Sequence, residues 1–335
     1  MVIVRALVLS VLLFAATVRA QDVSEMVPAE WVSVGSEVLD VLQNTELDPS
    51  VVEAPPSLDE WREFWGSVDR ALRADSVEEL AWMLPEVETA LAFLDAVPEG
   101  KPYADWLRQR LDYFTVADEV SGVARPEPRR SSLHSPPRPL LTGADKPSLR
   151  VAAMVRDTAT WKGRVAKREP PASADELIPV LKEVFRDQGV PHQLVWVAEV
   201  ESSLDPEARS PVGAAGLFQF MPETAKRFGL ELLPDDERLH PEKSARAAAR
   251  YLRFLHASFG SWPLALAAYN AGEGAVGRLL KKRNATTFEG IAAQLPVETQ
   301  MYVPKVLATV SVREGVDASR LPGPAVAASR SEVTR

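Results

Sequence analysis

Apolar residues recur at helical spacing along most of this 335-residue chain, while strand signals are scarce. In the first half, three groups of apolar residues each fall on one helix face. The groups are Trp61, Phe64, Trp65, Val68, Ala71 and Leu72; Leu80, Met83, Leu84, Val87, Leu91 and Leu94; and Trp106, Leu107, Leu111, Tyr113 and Phe114. Aromatic stripes of this kind usually form a core, and the alternative for Trp61, Trp65 and Trp106 is a binding surface. The pattern predicts an all-α protein.

The second half is predicted to contain further helices, and several of their start signals are visible in the sequence. Ser173-Ala-Asp-Glu176 fits a capping box at the start of one helix. Pro241 and Pro263 each stand in the first turn of another. Residues 298–313 form the last predicted helix. A brief strand pairing is expected only at residues 216–220.

The first twenty residues are typical of a secretory signal peptide. A positive residue is followed by an apolar stretch and then by small residues suited to cleavage before Gln21. The apolar stretch is too short for a confident membrane span, which needs about 20 residues. The alternative is an uncleaved N-terminal anchor.

Composition divides the rest of the chain into two predicted domains. Between residues 124 and 147 the helical pattern gives way to proline, arginine and serine, which predicts an extended linker. The linker separates a helical N-terminal accessory domain, residues 21–123, from a second helical domain, residues 148–315. Small and polar residues predict a disordered tail at residues 316–335.

Charge and cysteine content exclude several classes of protein. The net charge of −9 argues against a nucleic-acid binder. The absence of cysteine excludes a disulfide-stapled secreted miniprotein and a lipid anchor on an N-terminal cysteine, so a soluble periplasmic protein is the simplest expectation. The four histidines lack the spacing of metal ligands, and no metal or cofactor is expected. They are His134, His192, His240 and His256.

One glutamate lies on the apolar face of a predicted helix. Leu194, Val197, Ala198 and Glu201 are spaced at i, i+3, i+4 and i+7, so Glu201 points where the core points. Apolar surroundings destabilise a carboxylate and raise its pKa towards the range of a general acid. The alternative is a glutamate at the rim of the face, in a salt bridge or solvated.

Several motifs in fixed order resemble the soluble lytic transglycosylase (SLT) domain. They are Glu201-Ser-Ser203, Gly216-Leu-Phe-Gln-Phe-Met-Pro222, Ala268-Tyr-Asn-Ala-Gly272 and Glu298-Thr-Gln-Met-Tyr-Val-Pro-Lys305. The likeness covers about residues 174–315. It implies a lysozyme-like fold of the goose type for the second domain, and a peptidoglycan lytic transglycosylase activity on glycan strands.

By this resemblance, Glu201 is the single catalytic acid and base. It would protonate the oxygen between N-acetylmuramic acid and N-acetylglucosamine, and then accept the proton of the muramoyl C6 hydroxyl to give a 1,6-anhydromuramoyl end. Asp205 follows four residues later, but Pro206 disfavours helical geometry there. Asp205 is therefore expected to be a capping or turn residue.

The resemblance also implies roles for residues around that glutamate. Ser210 and Gln219 would line the glycan site, and Met221 would form a wall of the groove. Tyr269 would face the catalytic carboxyl, while Asn270 would tie loops together.

Glu298 and Tyr302 also match family positions, where buried hydrogen bonding is the alternative to substrate contact. A cell-wall protein is a candidate partner of the N-terminal domain. Two alternatives to the lytic transglycosylase are a muramidase that hydrolyses the same bond and a catalytically idle scaffold that binds peptidoglycan.

Overall fold

The computed structural model describes residues 57–74, 76–121 and 149–325. The predicted signal peptide at residues 1–20 and the predicted linker at residues 124–147 lie outside these ranges. Among the described residues, no helix is both long and apolar enough to cross a lipid bilayer.

The three apolar stripes of the first half form three helices. They are α1, Leu58–Arg73; α2, Val77–Asp95; and α3, Lys101–Ser121. A capping box opens α1, in which the Ser57 hydroxyl accepts from the Glu60 amide at 3.3 Å and the Glu60 carboxylate accepts from the Ser57 amide at 2.7 Å. The helix predictions for this half are confirmed.

The aromatic residues of these helices form a core. The side chains of Trp61 and Trp65 are 1% exposed and that of Trp106 is 6% exposed. The rings of Trp61 and Trp65 meet edge to face at 5.7 Å, a favoured aromatic geometry. The interpretation of these tryptophans as core residues is confirmed.

The second half adds nine helices among the described residues. They are α4, Leu149–Arg156; α5, Thr158–Val165; α6, Ala174–Asp187; α7, Val197–Ser202; α8, Pro222–Arg227; α9, Pro241–Phe259; α10, Trp262–Ala271; α11, Glu273–Arg283; and α12, Val297–Glu314. Within the described ranges there are no strands, and the only β pairing is at isolated bridges that join Ala215 to Arg209 and to Phe220. The predicted all-α class is confirmed for this part of the chain.

Helix α12 belongs to two hydrophobic cores at once. One set of its residues, Tyr302, Val306 and Val310, packs in the core of the second half. Another set packs with the core of α1 to α3, namely Val297, Met301 and Ala308. The domain boundaries stay a prediction, but the two halves of the described chain share a helix and bury apolar surface against each other.

The predicted capping box at Ser173 is not formed. Ser173 has helical dihedral angles and makes no capping hydrogen bond with its side chain. Its hydroxyl instead donates to the Leu204 carbonyl oxygen at 2.8 Å. The Ser173 hydroxyl thus bonds to a residue distant in the chain and not to the backbone of its own helix. This bond links the start of α6 to the residues just after α7.

The predicted disordered tail is wrong for residues 316–325, which pack on the second half. The Trp262 indole nitrogen donates to the Pro322 carbonyl at 2.9 Å, and the Ala325 amide donates to the Gly189 carbonyl at 2.7 Å. Small residues fit here because Ala318 is fully buried in the core. Residues 326–335 lie outside the described ranges.

Candidate active site

Glu201 lies in the last turn of α7, where the chain reverses sharply. Ser203 and Leu204 both have positive φ angles, 54° and 59°, which ends the helix directly after Ser202. Such angles are uncommon for residues other than glycine and persist where the surroundings enforce them. Here the Leu204 side chain is fully buried, and the Ser202 hydroxyl donates to the Leu217 carbonyl at 2.9 Å. These contacts hold Glu201 beside the loop that follows.

Asp205 is a turn residue, as its place before Pro206 predicts. Its carboxylate accepts a hydrogen bond from the Glu207 amide at 2.9 Å, which is the geometry of an Asx turn. The helix has already ended at Ser202, so Asp205 does not stand one helical turn above Glu201.

The carboxyl of Glu201 has a direct partner on α12. The Tyr302 hydroxyl donates to Glu201 Oε1 at 2.5 Å, and the Tyr302 side chain is 2% exposed. A buried phenol that donates to a carboxylate stabilises its charged form. The sequence left two roles open for Tyr302, substrate contact and buried hydrogen bonding. The described contacts show a buried hydrogen bond.

The pKa of Glu201 is raised from 4.5 to about 7. Burial is the largest cause, and the Tyr302 hydrogen bond opposes it. The charge of Arg110 on α3 also lowers the pKa of Glu201, while the charge of Glu298 raises it. Arg110 and Glu298 form an ion pair at 3.0 Å, so their effects on Glu201 work against each other. A carboxyl with this pKa can both donate and accept a proton near neutral pH.

The hydroxyl of Tyr269 makes no described hydrogen bond to the Glu201 carboxyl, and its expected role in facing that carboxyl stays a prediction. It donates instead to the Phe218 carbonyl oxygen at 2.7 Å. Tyr269 lies close to Glu201 nonetheless, because burial first and then the charge of Glu201 raise the pKa of this phenol. The Tyr269 hydroxyl is thus bonded to the Phe218 carbonyl, and the phenol that donates to the Glu201 carboxyl is that of Tyr302.

Ser210, Gln219 and Met221 lie on or next to the loop beside Glu201. The Ser210 hydroxyl accepts from the Ala214 amide at 2.9 Å and so closes a turn. The Gln219 side-chain nitrogen donates to the carbonyl oxygen of Gly216 at 3.0 Å. Met221 is 44% exposed just before α8. The roles of these three residues in glycan binding stay predictions. The described contacts show that Ser210 and Gln219 bond to backbone groups of the loop.

Asn270 joins two helices. Its side-chain oxygen accepts a hydrogen bond from the Thr299 hydroxyl at 2.6 Å, which links the end of α10 to the first turn of α12. This contact holds the two helices that carry Tyr269 and Tyr302 in a fixed relation.

Arg238 holds the glycine-rich loop, residues 213–220, by hydrogen bonds to its backbone. The sequence pattern did not predict this role. The Arg238 guanidinium donates to the carbonyls of Gly213 at 2.6 Å and Phe220 at 2.9 Å, and it pairs with Asp236 at 2.8 Å. Gly216 has a φ of 77°, and a Cβ there would stand 1.8 Å from the Arg238 carbonyl oxygen. No local signal marks Arg238, because an arginine in a polar stretch is usually solvated.

A buried charge network lies behind the site and crosses between the two halves. The Lys305 ammonium on α12 pairs with Asp112 on α3 at 3.1 Å and donates to the Gln109 carbonyl at 3.0 Å. Burial lowers the pKa of Lys305. Although burial opposes it, the charges of Lys305 and Arg168 hold the pKa of Asp112 well below its usual range. No sequence pattern indicates this pair, because its members are far apart in the chain.

Within residues 57–74, 76–121 and 149–325, no group of three or more histidine, aspartate or glutamate side chains is placed to hold a metal ion. Glu201, Tyr302 and the loop held by Arg238 make up the candidate site.

Residues 181–291 match the family model described as "Transglycosylase SLT domain". The resemblance to the SLT domain is confirmed over these residues, which include the motifs at Glu201, Gly216 and Ala268.

Two longer proteins match part of the chain. The chain is 38% identical over 127 residues to the membrane-bound lytic murein transglycosylase D of Escherichia coli (strain K12), a match that covers 37% of this chain and 28% of the relative. It is 38% identical over 124 residues to the soluble lytic murein transglycosylase of Salmonella typhimurium, which covers 33% of this chain and 19% of the relative. The chain thus spans less than a third of the length of these two relatives.

A solved structure of the lytic transglycosylase Slt from Pseudomonas aeruginosa, in an inactive mutant form, is 17% identical to the chain. The superposition covers 86% of this chain and 67% of the other, with a TM-score of 0.37. So loose a superposition supports no inference about this protein.

Proposed function

We propose that this protein is a peptidoglycan lytic transglycosylase that cleaves the β-1,4 bond between N-acetylmuramic acid and N-acetylglucosamine. The observation that carries the proposal is the Glu201 carboxyl, whose burial raises its pKa to about 7 and which Tyr302 holds by a hydrogen bond. The names of the two relatives, both lytic murein transglycosylases, support the same activity. A carboxyl kept partly protonated at neutral pH is suited to protonate a leaving oxygen.

The reaction begins with proton transfer from Glu201 to the glycosidic oxygen. The bond between C1 of the muramoyl unit and that oxygen breaks, and the N-acetylglucosamine side leaves as an alcohol. The substrate's own acetamido group can stabilise the positive charge that develops at C1. Tyr302 stabilises the Glu201 carboxylate that this step creates.

The second step restores the acid. The Glu201 carboxylate accepts the proton of the muramoyl C6 hydroxyl while that oxygen bonds to C1. The product is a 1,6-anhydromuramoyl end, and the proton that Glu201 lost is regained. No water is consumed.

Most glycosidases need a second carboxylate, whereas this mechanism needs one because its nucleophile belongs to the substrate. Two observations support a single acid. Asp205 is engaged in a turn with Glu207, and Glu298 is paired with Arg110.

The substrate places the protein outside the cytoplasmic membrane. We therefore propose that the segment of residues 1–20 directs export to the periplasm. N-terminal sequencing of the protein from a periplasmic extract tests this, with cleavage before Gln21 as the expected result. A partner for the N-terminal region stays a prediction.

The activity is tested by the release of soluble muropeptides from insoluble peptidoglycan. Glu201→Gln keeps the side chain's size and removes the transferable proton, so we expect the rate to fall by about 10²–10⁴-fold. Glu183→Gln is the matched control, because the Glu183 side chain is 70% exposed on α6. Equal rates for the parent and Glu201→Gln would exclude Glu201 as the acid.

A further inference from the structure

A cleft of about 220 Å³ lies between α3 of the first half and the chain that follows Glu201. Lys101, Asp105 and Gln109 line it from α3. The opposite side includes Asp205, Arg209 and Gln219. These two sides come from the two halves of the described chain. Each carries hydrogen-bonding side chains, although most of the exposed lining is apolar.

The cleft adjoins the candidate active site. Gln219, which lines it, is a residue expected to contact glycan, and Asp205 stands four residues after Glu201. On the α3 side, Gln109 precedes Arg110, whose guanidinium pairs with Glu298 at 3.0 Å. The cleft and the candidate active site therefore share Gln219 and the chain segment that follows Glu201.

We propose that α3 is the second wall of the glycan cleft, and that Lys101 and Gln109 bind the saccharide units next to the scissile bond. The inference rests on the proposed function and extends it, because it gives the helical first half a direct part in binding substrate. Of the tryptophans for which the sequence left a binding role as an alternative, Trp106 also lines this cleft.

The chemistry of the wall suits an amino sugar. Hydroxyl and acetamido groups offer both donors and acceptors, and the carboxamide of Gln109 can pair with either. Among the described residues, the Gln109 side chain has no hydrogen-bond partner, although the residue is half-buried. Lys101 forms an ion pair with Asp105, one helical turn along α3, and both residues line the cleft.

The wall is fixed in place before substrate arrives. Lys305 donates to the Gln109 carbonyl at 3.0 Å and pairs with Asp112 at 3.1 Å, so α3 is bonded to α12 at the level of Gln109. A binding group on a helix that is held in this way loses little freedom when it meets its ligand.

The test uses the full chain in the Glu201→Gln form, which prevents turnover while binding is measured. The probe is a peptide-free tetrasaccharide of alternating N-acetylglucosamine and N-acetylmuramic acid, titrated by calorimetry. We expect Gln109→Ala and Lys101→Ala each to weaken binding about threefold to tenfold, as the loss of one hydrogen bond does. Arg62→Ala on α1 is the control and should bind like its parent, because the Arg62 side chain is 50% exposed outside the cleft.

Unchanged affinity in both α3 variants, beside a Glu201→Gln parent that binds the probe, overturns the inference and leaves the proposed function intact. If the otherwise unaltered protein releases no muropeptides from peptidoglycan, the proposed function itself fails and the inference falls with it. The two failures are therefore distinguishable.

A second measurement covers the case in which Gln109→Ala impairs folding. Lys101 is 68% exposed, so its truncation should leave the melting temperature unchanged. Hydrogen exchange of the Glu201→Gln protein should show that the tetrasaccharide protects amides of residues 101–109. No protection there, with protection confined to the second half, also overturns the inference.

Discussion

The hydroxyl of Tyr302 and the carboxyl of Glu201, 101 residues apart in the chain, are joined by a hydrogen bond of 2.5 Å. Burial raises the pKa of Glu201, and this bond opposes the rise because it stabilises the charged form. The balance leaves the pKa of Glu201 at about 7. The pair therefore sets both the orientation of the proposed acid and the pH range in which it can work.

Tyr302→Phe should change the pH dependence of the reaction. Loss of the hydrogen bond raises the pKa of Glu201 further, so the alkaline limb of kcat/KM should move to higher pH. Turnover should fall about ten- to a hundredfold, since a hydrogen bond to a charged group contributes roughly 1.5–3 kcal/mol. Rates of muropeptide release across about pH 5 to 9 measure both effects.

Tyr269→Phe is the matched comparison for that variant. Its hydroxyl bonds to the Phe218 carbonyl and not to Glu201. We expect the alkaline limb to stay where it is, and the free energy of unfolding to fall by about 1–2 kcal/mol because a buried carbonyl loses its donor. A shifted limb in Tyr269→Phe with an unshifted one in Tyr302→Phe would reverse the roles assigned here.

Glu201→Gln should be more stable than the parent at alkaline pH. The pKa of Glu201 is raised from 4.5 to about 7 in the folded protein, so folding favours the protonated form. The stabilisation from that proton is complete below pH 4.5 and is lost as the pH rises through 7. A glutamine at this position does not titrate, so it causes no loss of stability over this pH range. The free energy of unfolding of Glu201→Gln should therefore exceed that of the parent by about 3 kcal/mol near pH 8.

Urea unfolding of both proteins at several pH values measures the difference in stability. Equal changes in stability with pH for the parent and Glu201→Gln would mean that Glu201 has an ordinary pKa.

Gly216→Ala should destabilise the protein far more than Gly213→Ala. Both glycines have positive φ angles, 77° and 84°. A Cβ on Gly216 would stand 1.8 Å from the Arg238 carbonyl, whereas a Cβ on Gly213 would meet nothing within 4 Å. We expect Gly213→Ala to cost about 1–2 kcal/mol from backbone strain alone, and Gly216→Ala at least about 2 kcal/mol more. Similar losses in both variants would show that the loop adapts around Arg238.

Asp112→Asn should weaken the junction between the two halves. It deprives the buried Lys305 ammonium of its carboxylate, which we expect to cost about 3–5 kcal/mol. Asp59→Asn breaks an ion pair of 3.4 Å with Arg62 at an aspartate that is 94% exposed, and should cost less than about 1 kcal/mol. Thermal unfolding of the two variants gives the comparison, and equal small losses would contradict a structural role for the buried pair.

The elements that the sequence predicted are those with local signals. Helical spacing and proline positions are properties of neighbouring residues. The last helix, predicted at residues 298–313, is accordingly observed at Val297–Glu314. The motifs around Glu201 and Gly216 are also local, which is why the candidate acid and its loop were visible.

The contacts that the sequence missed join distant residues. Ser173 donates to Leu204, Arg238 holds the loop at Gly213, and Lys305 pairs with Asp112 on α3. Each depends on which elements the fold brings together, and helical periodicity carries no information about that. The contact between α3 and α12 also indicates that a fragment beginning near residue 147 would expose an apolar face, namely Val297, Met301 and Ala308.

The most direct test of the central claim is the chemistry of the product ends. Purified protein is incubated with peptidoglycan, the released muropeptides are treated with borohydride, and their masses are measured. The proposed mechanism predicts 1,6-anhydromuramoyl ends, which resist reduction and are lighter than the reduced hydrolytic products by one water and two hydrogens. It also predicts that Glu201→Gln forms almost none while Glu183→Gln forms as many as the parent. Reducible muramoyl ends from the parent would contradict this account and identify a muramidase that uses water.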